Sequence, residues 1–176
     1  MIQKKFFIAT FVLASLMTLF IPTVFAKPAE RNYTAHLSGK EWISRVNSTA
    51  TYEPAVMTRA QGQAIFQFSK DGSMIYYKLI VANIENVTMA HIHIDVGEAP
   101  NGPIVVWLYP REPPPMLISG RFSGILAEGT ITADDLVNLL DGMSLGDLEE
   151  YMMNGFAYVV VHTSQNPPGE IRGWIH

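Results

Sequence analysis

Two histidines lie two residues apart in residues 88–95, a stretch that otherwise alternates apolar and polar residues. Alternate side chains of a β-strand share a face, so His91 and His93 would lie side by side, with Met89 and Asp95 on the same face. The rise of about 3.3 Å per residue places the two imidazoles about 6–7 Å apart. The pair therefore predicts either half of a metal-chelating site or two polar side chains without a metal-binding role.

The first 26 residues have the pattern of a secretion signal. Lys4 and Lys5 precede an uncharged apolar run at residues 6–21, and residues 24–26 suit a signal peptidase. The run of 16 residues is shorter than the ~20 that span a bilayer, which argues against an uncleaved membrane anchor. We expect cleavage after Ala26, no membrane span in the mature chain, and a secreted or extracytoplasmic location at the cell surface or in the periplasm.

The mature chain, residues 27–176, is long enough to form one domain with its own core. It contains no cysteine, which excludes disulfides, thiolate metal ligands and thiol nucleophiles. Without its two signal lysines it has 10 basic and 16 acidic residues, a formal charge of −6. Because nucleic-acid binding depends on basic residues at phosphates, we predict no nucleic-acid partner. Three sequons are candidates for glycosylation: Asn32, Asn47 and Asn86.

Short alternating runs predict an all-β fold. The turn at Lys70-Asp71-Gly72 predicts a hairpin, and residues 83–86 are expected to turn the chain into the histidine strand, whose Ala90, Ile92 and Ile94 would face a core. The near-continuous apolar run at 156–162 predicts a central strand. Residues 40–60 are expected to form a long connection with at most one short strand, and residues 110–115 a stiff, exposed loop. Strands are predicted at residues 33–38, 62–68, 74–81, 88–95, 103–108, 117–131, 156–162 and 170–176. Such a tally favours an antiparallel β-sandwich or Greek-key barrel.

Two short helices are expected in the connection before residue 156. Thr132 and Ser144 are good N-cap residues, and each is followed three positions later by an aspartate that suits the helix dipole. Leu136, Leu139 and Leu140 would form the apolar stripe of the first helix, and glycines 142 and 155 would end the two helices.

Five blocks of the chain, taken in order, resemble the CHRD domain, a module first described in the secreted protein chordin and present in many secreted microbial proteins. The resemblance runs from about Tyr33 to Ile175, and residues 110–115 and 40–60 are its main departures. The blocks are residues 90–93, 101–106, 129–136, 158–163 and 166–173. The resemblance implies an immunoglobulin-like β-barrel distantly similar to copper–zinc superoxide dismutase, and no enzymatic activity is established for the family.

The similarity to the dismutase extends the histidine pair to a third residue. In that enzyme a His-x-His strand and a later strand supply copper ligands, and His91, His93 and His162 have the same order here. Three histidines suit copper or zinc, and Met89 or Asp95 could complete such a site, the thioether favouring Cu(I). Residues 94–161 contain no histidine, so the second metal site of the dismutase is absent and we expect no enzyme. Alternatively, the histidines make structural hydrogen bonds, with His162 linked to the turn at residues 166–169.

Glu170 and Arg172 alternate on the last predicted strand. They could act as a catalytic acid and its electrostatic partner, but a cross-strand ion pair that holds an edge strand in register is the favoured interpretation. The sequence thus predicts a secreted, non-enzymatic CHRD-domain protein without a cofactor, binding an unknown protein or envelope partner. The alternative hypothesis is copper or zinc binding through the three histidines.

Overall fold

The computed structural model describes residues 31–41, 43–44, 51–52, 55–97 and 101–176. The predicted signal segment and the sequon at Asn47 lie outside these ranges. The described residues form β1 Asn32–Ser38, β2 Ile43–Ser44, β3 Thr51–Tyr52, β4 Gln61–Phe68, β5 Ile75–Ile94, β6 Ile104–Tyr109, β7 Ile118–Ile131, α1 Leu145–Met153, β8 Ala157–Thr163 and β9 Ile171–Trp174.

Five of these strands close into a barrel. The order is β4–β1–β9–β8–β5, and β5 pairs back onto β4 to complete the ring. β6 and β7 add to β5, while β2 and β3 pair only with each other in the described part of the chain. All pairings are antiparallel. The all-β prediction is confirmed, and β8 has the central position that its apolar run predicted.

The predicted turn at residues 83–86 is wrong, because β5 continues through it as one strand of 20 residues. Asn83 and Asn86 do adopt positive φ values of 56° and 54°. The register with β7 shifts on both sides of this point, yet the two strands stay paired across it. Asparagine tolerates positive φ better than most residues, so the polar segment forms bulges that bend the strand instead of ending it.

The first predicted helix is also different in the structure. Its segment forms two single 3-10 turns, Ala133–Asp135 and Asn138–Leu140, because Leu136 between them has extended backbone angles. Leu136 and Leu140 are buried as expected, but Leu139 is exposed.

The second predicted helix is confirmed as α1. Ser144 caps it, accepting a hydrogen bond from the Asp147 backbone N–H while its own N–H donates to the Asp147 carboxylate. Gly155 follows the helix with a φ of 71°, a value that glycine adopts readily.

β5 and β8 are covered on both faces where they pair. Their inward side chains join the barrel core, as expected for Ala90, Ile92 and Ile94. Every residue of β8 is buried, including those whose side chains point away from the barrel core. Those outer side chains are Tyr158, Val160 and His162. The protein therefore has a second buried layer outside the barrel, and the predicted site residues lie in it.

Candidate metal centre

The register of β5 against β8 places the three histidines on one face. His91 lies opposite Val160, and His162 lies opposite Met89. Because side chains alternate along both strands, His91, His93 and His162 leave on the face opposite the core. Their side chains are buried, with 0%, 3% and 4% exposure respectively. The structure thus brings together the three residues that the sequence named as ligands.

The three imidazoles converge. Their ring centroids are 5.1–5.8 Å apart, and each ring offers a nitrogen that lies within 4.8 Å of the other two. Metal–nitrogen bonds of about 2.0–2.1 Å in a tetrahedral site place two ligand nitrogens about 3.3–3.4 Å apart. The ligand atoms of the three rings lie within 4.8 Å of one another, so side-chain shifts on the order of 1 Å would let one ion contact all three.

Two backbone carbonyls determine which nitrogens carry protons. His93 Nδ1 lies 2.8 Å from the Gly102 oxygen, and His162 Nδ1 lies 2.9 Å from the Pro167 oxygen. A carbonyl only accepts hydrogen bonds, so both Nδ1 atoms are donors and both Nε2 atoms of the neutral rings carry lone pairs. It follows that His91 Nδ1–H donates to His162 Nε2. The bond from His162 to the 166–169 turn is the one expected from the sequence.

Two ring nitrogens are left without a hydrogen bond. His91 Nε2 and His93 Nε2 are buried from solvent and have no partner among the described residues. An unsatisfied buried polar atom costs about 1–3 kcal/mol, so such atoms are rare in folded proteins. Both nitrogens present lone pairs, which a metal ion would satisfy.

Burial keeps the three histidines uncharged. It lowers the pKa of His91 to about 2, with smaller contributions from His162 and His93. It lowers the pKa of His93 to about 3 and that of His162 to about 4, although the carbonyl hydrogen bond of each ring opposes the shift. Metal ligation requires neutral imidazole, so the site is in its ligating form at neutral pH without losing protons from cationic rings.

Aromatic rings enclose the histidines. The Trp107 ring meets His91 edge-on with centroids 4.2 Å apart, and the Tyr158 ring stacks on His93 at 5.4 Å. The guanidinium carbon of Arg172 lies 4.3 Å from the centroid of Tyr158. Trp174 also contacts Tyr158, with ring centroids 5.0 Å apart.

Asn101 connects the two loops that hold the histidines in place. Its Nδ2 donates to the Pro168 oxygen at 2.7 Å, and its Oδ1 accepts a hydrogen bond from Arg172. The neighbouring Gly102 N–H donates to the Tyr158 hydroxyl at 2.8 Å. A Cβ at Gly102 would lie 1.8 Å from the Ile94 oxygen, so only glycine allows this loop to approach β5 closely enough to bond His93.

The two residues suggested as a fourth ligand differ in position. Met89 is partly buried on the same face, directly across the strand pair from His162. Asp95 follows the end of β5, where its carboxylate accepts a hydrogen bond from the Gly97 N–H at 2.9 Å. Among the described residues, the group of metal-capable histidines and acids contains the three histidines and not Asp95.

Glu170 and Arg172 have separate surroundings. The buried Glu170 carboxylate accepts hydrogen bonds from Thr58 at 2.6 Å, Thr163 at 2.8 Å and Asn166 at 3.2 Å. Arg172 contacts Tyr158 and Asn101 beside the histidines. β9 lies between β1 and β8, so its prediction as an edge strand is wrong: β1, far away in sequence, covers it.

Sequence reasoning linked His162 to the turn at residues 166–169 but identified neither Gly102 nor Asn101 as a residue that orients the imidazoles. Gly102 acts through its backbone carbonyl, which no side-chain pattern reveals. Asn101 was visible only as part of a turn-forming segment. The detectable signal was that both segments fall within blocks resembling the CHRD domain.

Among the residues that the structure describes, no helix has the length and apolar character needed to cross a bilayer.

Comparison with known proteins identifies the family. Searches of curated proteins and of solved structures returned no match. The family model of the CHRD domain matches residues 33–175. Because this match covers nearly the whole chain, the protein belongs to the CHRD-domain family.

Proposed function

We propose that this protein is a non-enzymatic, extracytoplasmic binding domain whose ligand is a copper or zinc ion held by His91, His93 and His162. The observation that carries the proposal is the convergence of three buried, neutral imidazoles to within 4.8 Å. The closed antiparallel barrel with ligands on adjacent strands also supports the finer prediction of an immunoglobulin-like or dismutase-like arrangement.

The unsatisfied nitrogens favour a metal over a purely structural role. Structural hydrogen bonds explain His162 and the Nδ1 atoms of the other two rings, but they leave His91 Nε2 and His93 Nε2 buried without partners. The carbonyls at Gly102 and Pro167 direct Nε2 lone pairs inward. Metal-bound histidines commonly donate their other nitrogen to a carbonyl in this way.

Two observations support a binding role without catalysis. The Nε2 atoms of His91 and His93 have no contact with solvent, whereas catalytic metal sites keep an open position for water or substrate. The described chain also offers a single group of three or more metal-capable side chains, so a second ion of the dismutase type has no ligand set there.

Metal titration tests the proposal. Purified protein should bind Zn(II) or copper with one ion per chain, and His91→Ala/His93→Ala should lose that binding. His36→Ala/His176→Ala is the matched control, because it removes two exposed histidines outside the group and should bind like wild type. Circular dichroism of the metal-free proteins verifies that each variant folds. A dissociation constant no tighter for wild type than for the His91/His93 variant would end the proposal.

The location is tested separately. CHRD domains are typically extracellular, which agrees with the predicted signal. Expression of the full chain in a bacterial host should yield a mature protein outside the cytoplasm whose N-terminal residue is Lys27. A chain starting at Lys27 should stay in the cytoplasm. Recovery of a chain that keeps residues 1–26 in the membrane fraction would instead indicate an uncleaved anchor.

A further inference from the structure

Resting on the proposed metal site, we infer that its preferred ion is Cu(I), not Zn(II) or Cu(II), because three buried imidazoles lie beside the thioether-bearing Met89 with no carboxylate in the ligand group.

The net charge of the loaded site equals the charge of the ion. Each histidine contributes a neutral ligand, and the group contains no aspartate or glutamate. The three side chains are at most 4% exposed, so the ion leaves water for a medium of low dielectric constant. The desolvation penalty of an ion grows with the square of its charge in the Born description, so a dication is penalised about four times as strongly as a monocation.

The nearest charged side chains act in opposite directions. Arg172 is 2% exposed and lies over the Tyr158 ring, which in turn stacks on His93. Its positive charge repels a dication twice as strongly as a monocation at the same distance. Asp95, two residues after His93, is an acid with the opposite effect, but it is partly exposed at the end of β5, where water screens it more effectively.

Ligand type and coordination number favour the same ion. Thioether sulfur is a soft ligand that selects Cu(I) over Zn(II), and Met89 is the cross-strand neighbour of His162. Residues directly opposite each other on antiparallel strands, as Met89 and His162 are, have Cβ atoms about 4.5–5.5 Å apart. A Zn(II) site with three histidines takes water as its fourth ligand, whereas the Nε2 atoms of His91 and His93 are closed to solvent.

Competition titrations with the three ions test the inference. Cu(I), supplied anaerobically with a chromophoric chelator, should bind about 100-fold or more tightly than Zn(II), as a desolvation difference of several kcal/mol requires. Cu(II) should also bind more weakly than Cu(I). Equal or tighter binding of Zn(II) or Cu(II) would overturn the inference while leaving the proposed function intact. Failure of all three ions to bind would overturn both.

Substitution of Met89 provides a second test. Met89→Asp adds a negative ligand beside His162 and should shift the ratio of Zn(II) to Cu(I) affinity towards zinc by about 10-fold or more, because the added charge attracts the dication more strongly. Met89→Leu has a similar volume but no sulfur, and it should weaken Cu(I) binding more than Zn(II) binding. An unchanged ratio in a folded Met89→Asp protein would contradict the charge argument. If Met89→Asp does not fold, the ratio of Zn(II) to Cu(I) affinity measured on the wild-type protein tests the inference by itself.

Discussion

At the scale of single residues, His91 and His93 each have one hydrogen-bonded ring nitrogen and one buried lone pair, whereas both ring nitrogens of His162 are hydrogen-bonded. The alternation of side chains along β5 was enough to predict that His91 and His93 share a face. The order of histidines in the dismutase pointed to His162. The protonation pattern was not predictable, because it depends on carbonyls of Gly102 and Pro167 that reach the rings only in the folded chain.

The lowered histidine pKa values predict a specific loss of stability in acid. The metal-free folded state keeps the three rings neutral, with pKa values of about 2, 3 and 4, whereas the unfolded chain protonates them near 6.5. The unfolded state therefore binds more protons below pH 6.5, and stability falls as the pH drops through that value. At pH 5 the loss is about 2 kcal/mol for each histidine that stays neutral when folded.

Urea unfolding of the metal-free protein at pH 7 and pH 5 measures this loss. His162→Gln removes one of the titrating rings, so its free energy of unfolding should change less between the two pH values than that of wild type. His36→Gln removes an exposed histidine and should follow wild type. Identical pH dependence of stability in wild type and His162→Gln would contradict the lowered pKa of His162 in the folded protein.

At the scale of elements, the site depends on two loops as much as on two strands. The end of β5 and both ends of β8 were predicted to within one residue from alternation and apolar character, but the start of β5 was not. The segment at residues 83–86 was misread, because asparagines that signal a turn also fit a bulge when a neighbouring strand stays paired across them. The contact between the loops could not be predicted, since Asn101 and Pro168 are 67 residues apart.

Asn101→Ala should weaken metal binding without removing a ligand. The change breaks the link from Asn101 to Pro168 and Arg172, so the carbonyls that orient His93 and His162 are held less firmly. Substitution of groups that orient metal ligands typically lowers affinity 10–100-fold, and we expect about that loss. Asn32→Ala, on an exposed position of β1, is the control and should bind like wild type. Full wild-type affinity in folded Asn101→Ala would show that the link does not position the ligands.

At the scale of the whole molecule, the barrel and the site share the same two strands. All-β class and antiparallel character were predictable from the spacing of short alternating runs. The β4–β5 hairpin was predictable from its Asp-Gly turn. Closure was not, because it depends on β9 returning between β1 and β8 and on β8 pairing with β5. These pairings join distant parts of the chain and leave no local signal.

Metal loading should therefore stabilise the entire domain. An ion that binds only the folded state at 100 times its dissociation constant adds about 2.7 kcal/mol of stability. For a chain of this size that corresponds to a rise of about 5–10 °C in the thermal midpoint. Differential scanning calorimetry with and without the ion measures the shift. The same shift in His91→Ala/His93→Ala would mean that the ion acts elsewhere.

The outer layer over β5 and β8 has a consequence for how this chain tolerates mutation. Val160 and its histidine neighbours are enclosed as completely as the barrel core, so a replacement there must fill the same volume whether or not an ion is ever bound. A random substitution that removes one of these histidines would therefore lower the stability of the fold first, and selection would act on that loss before any loss of metal binding. A lineage that no longer needs the ion would keep bulky, well-packed side chains at positions 91, 93 and 162. The presence of such residues alone in a relative would not reveal whether it still uses a metal.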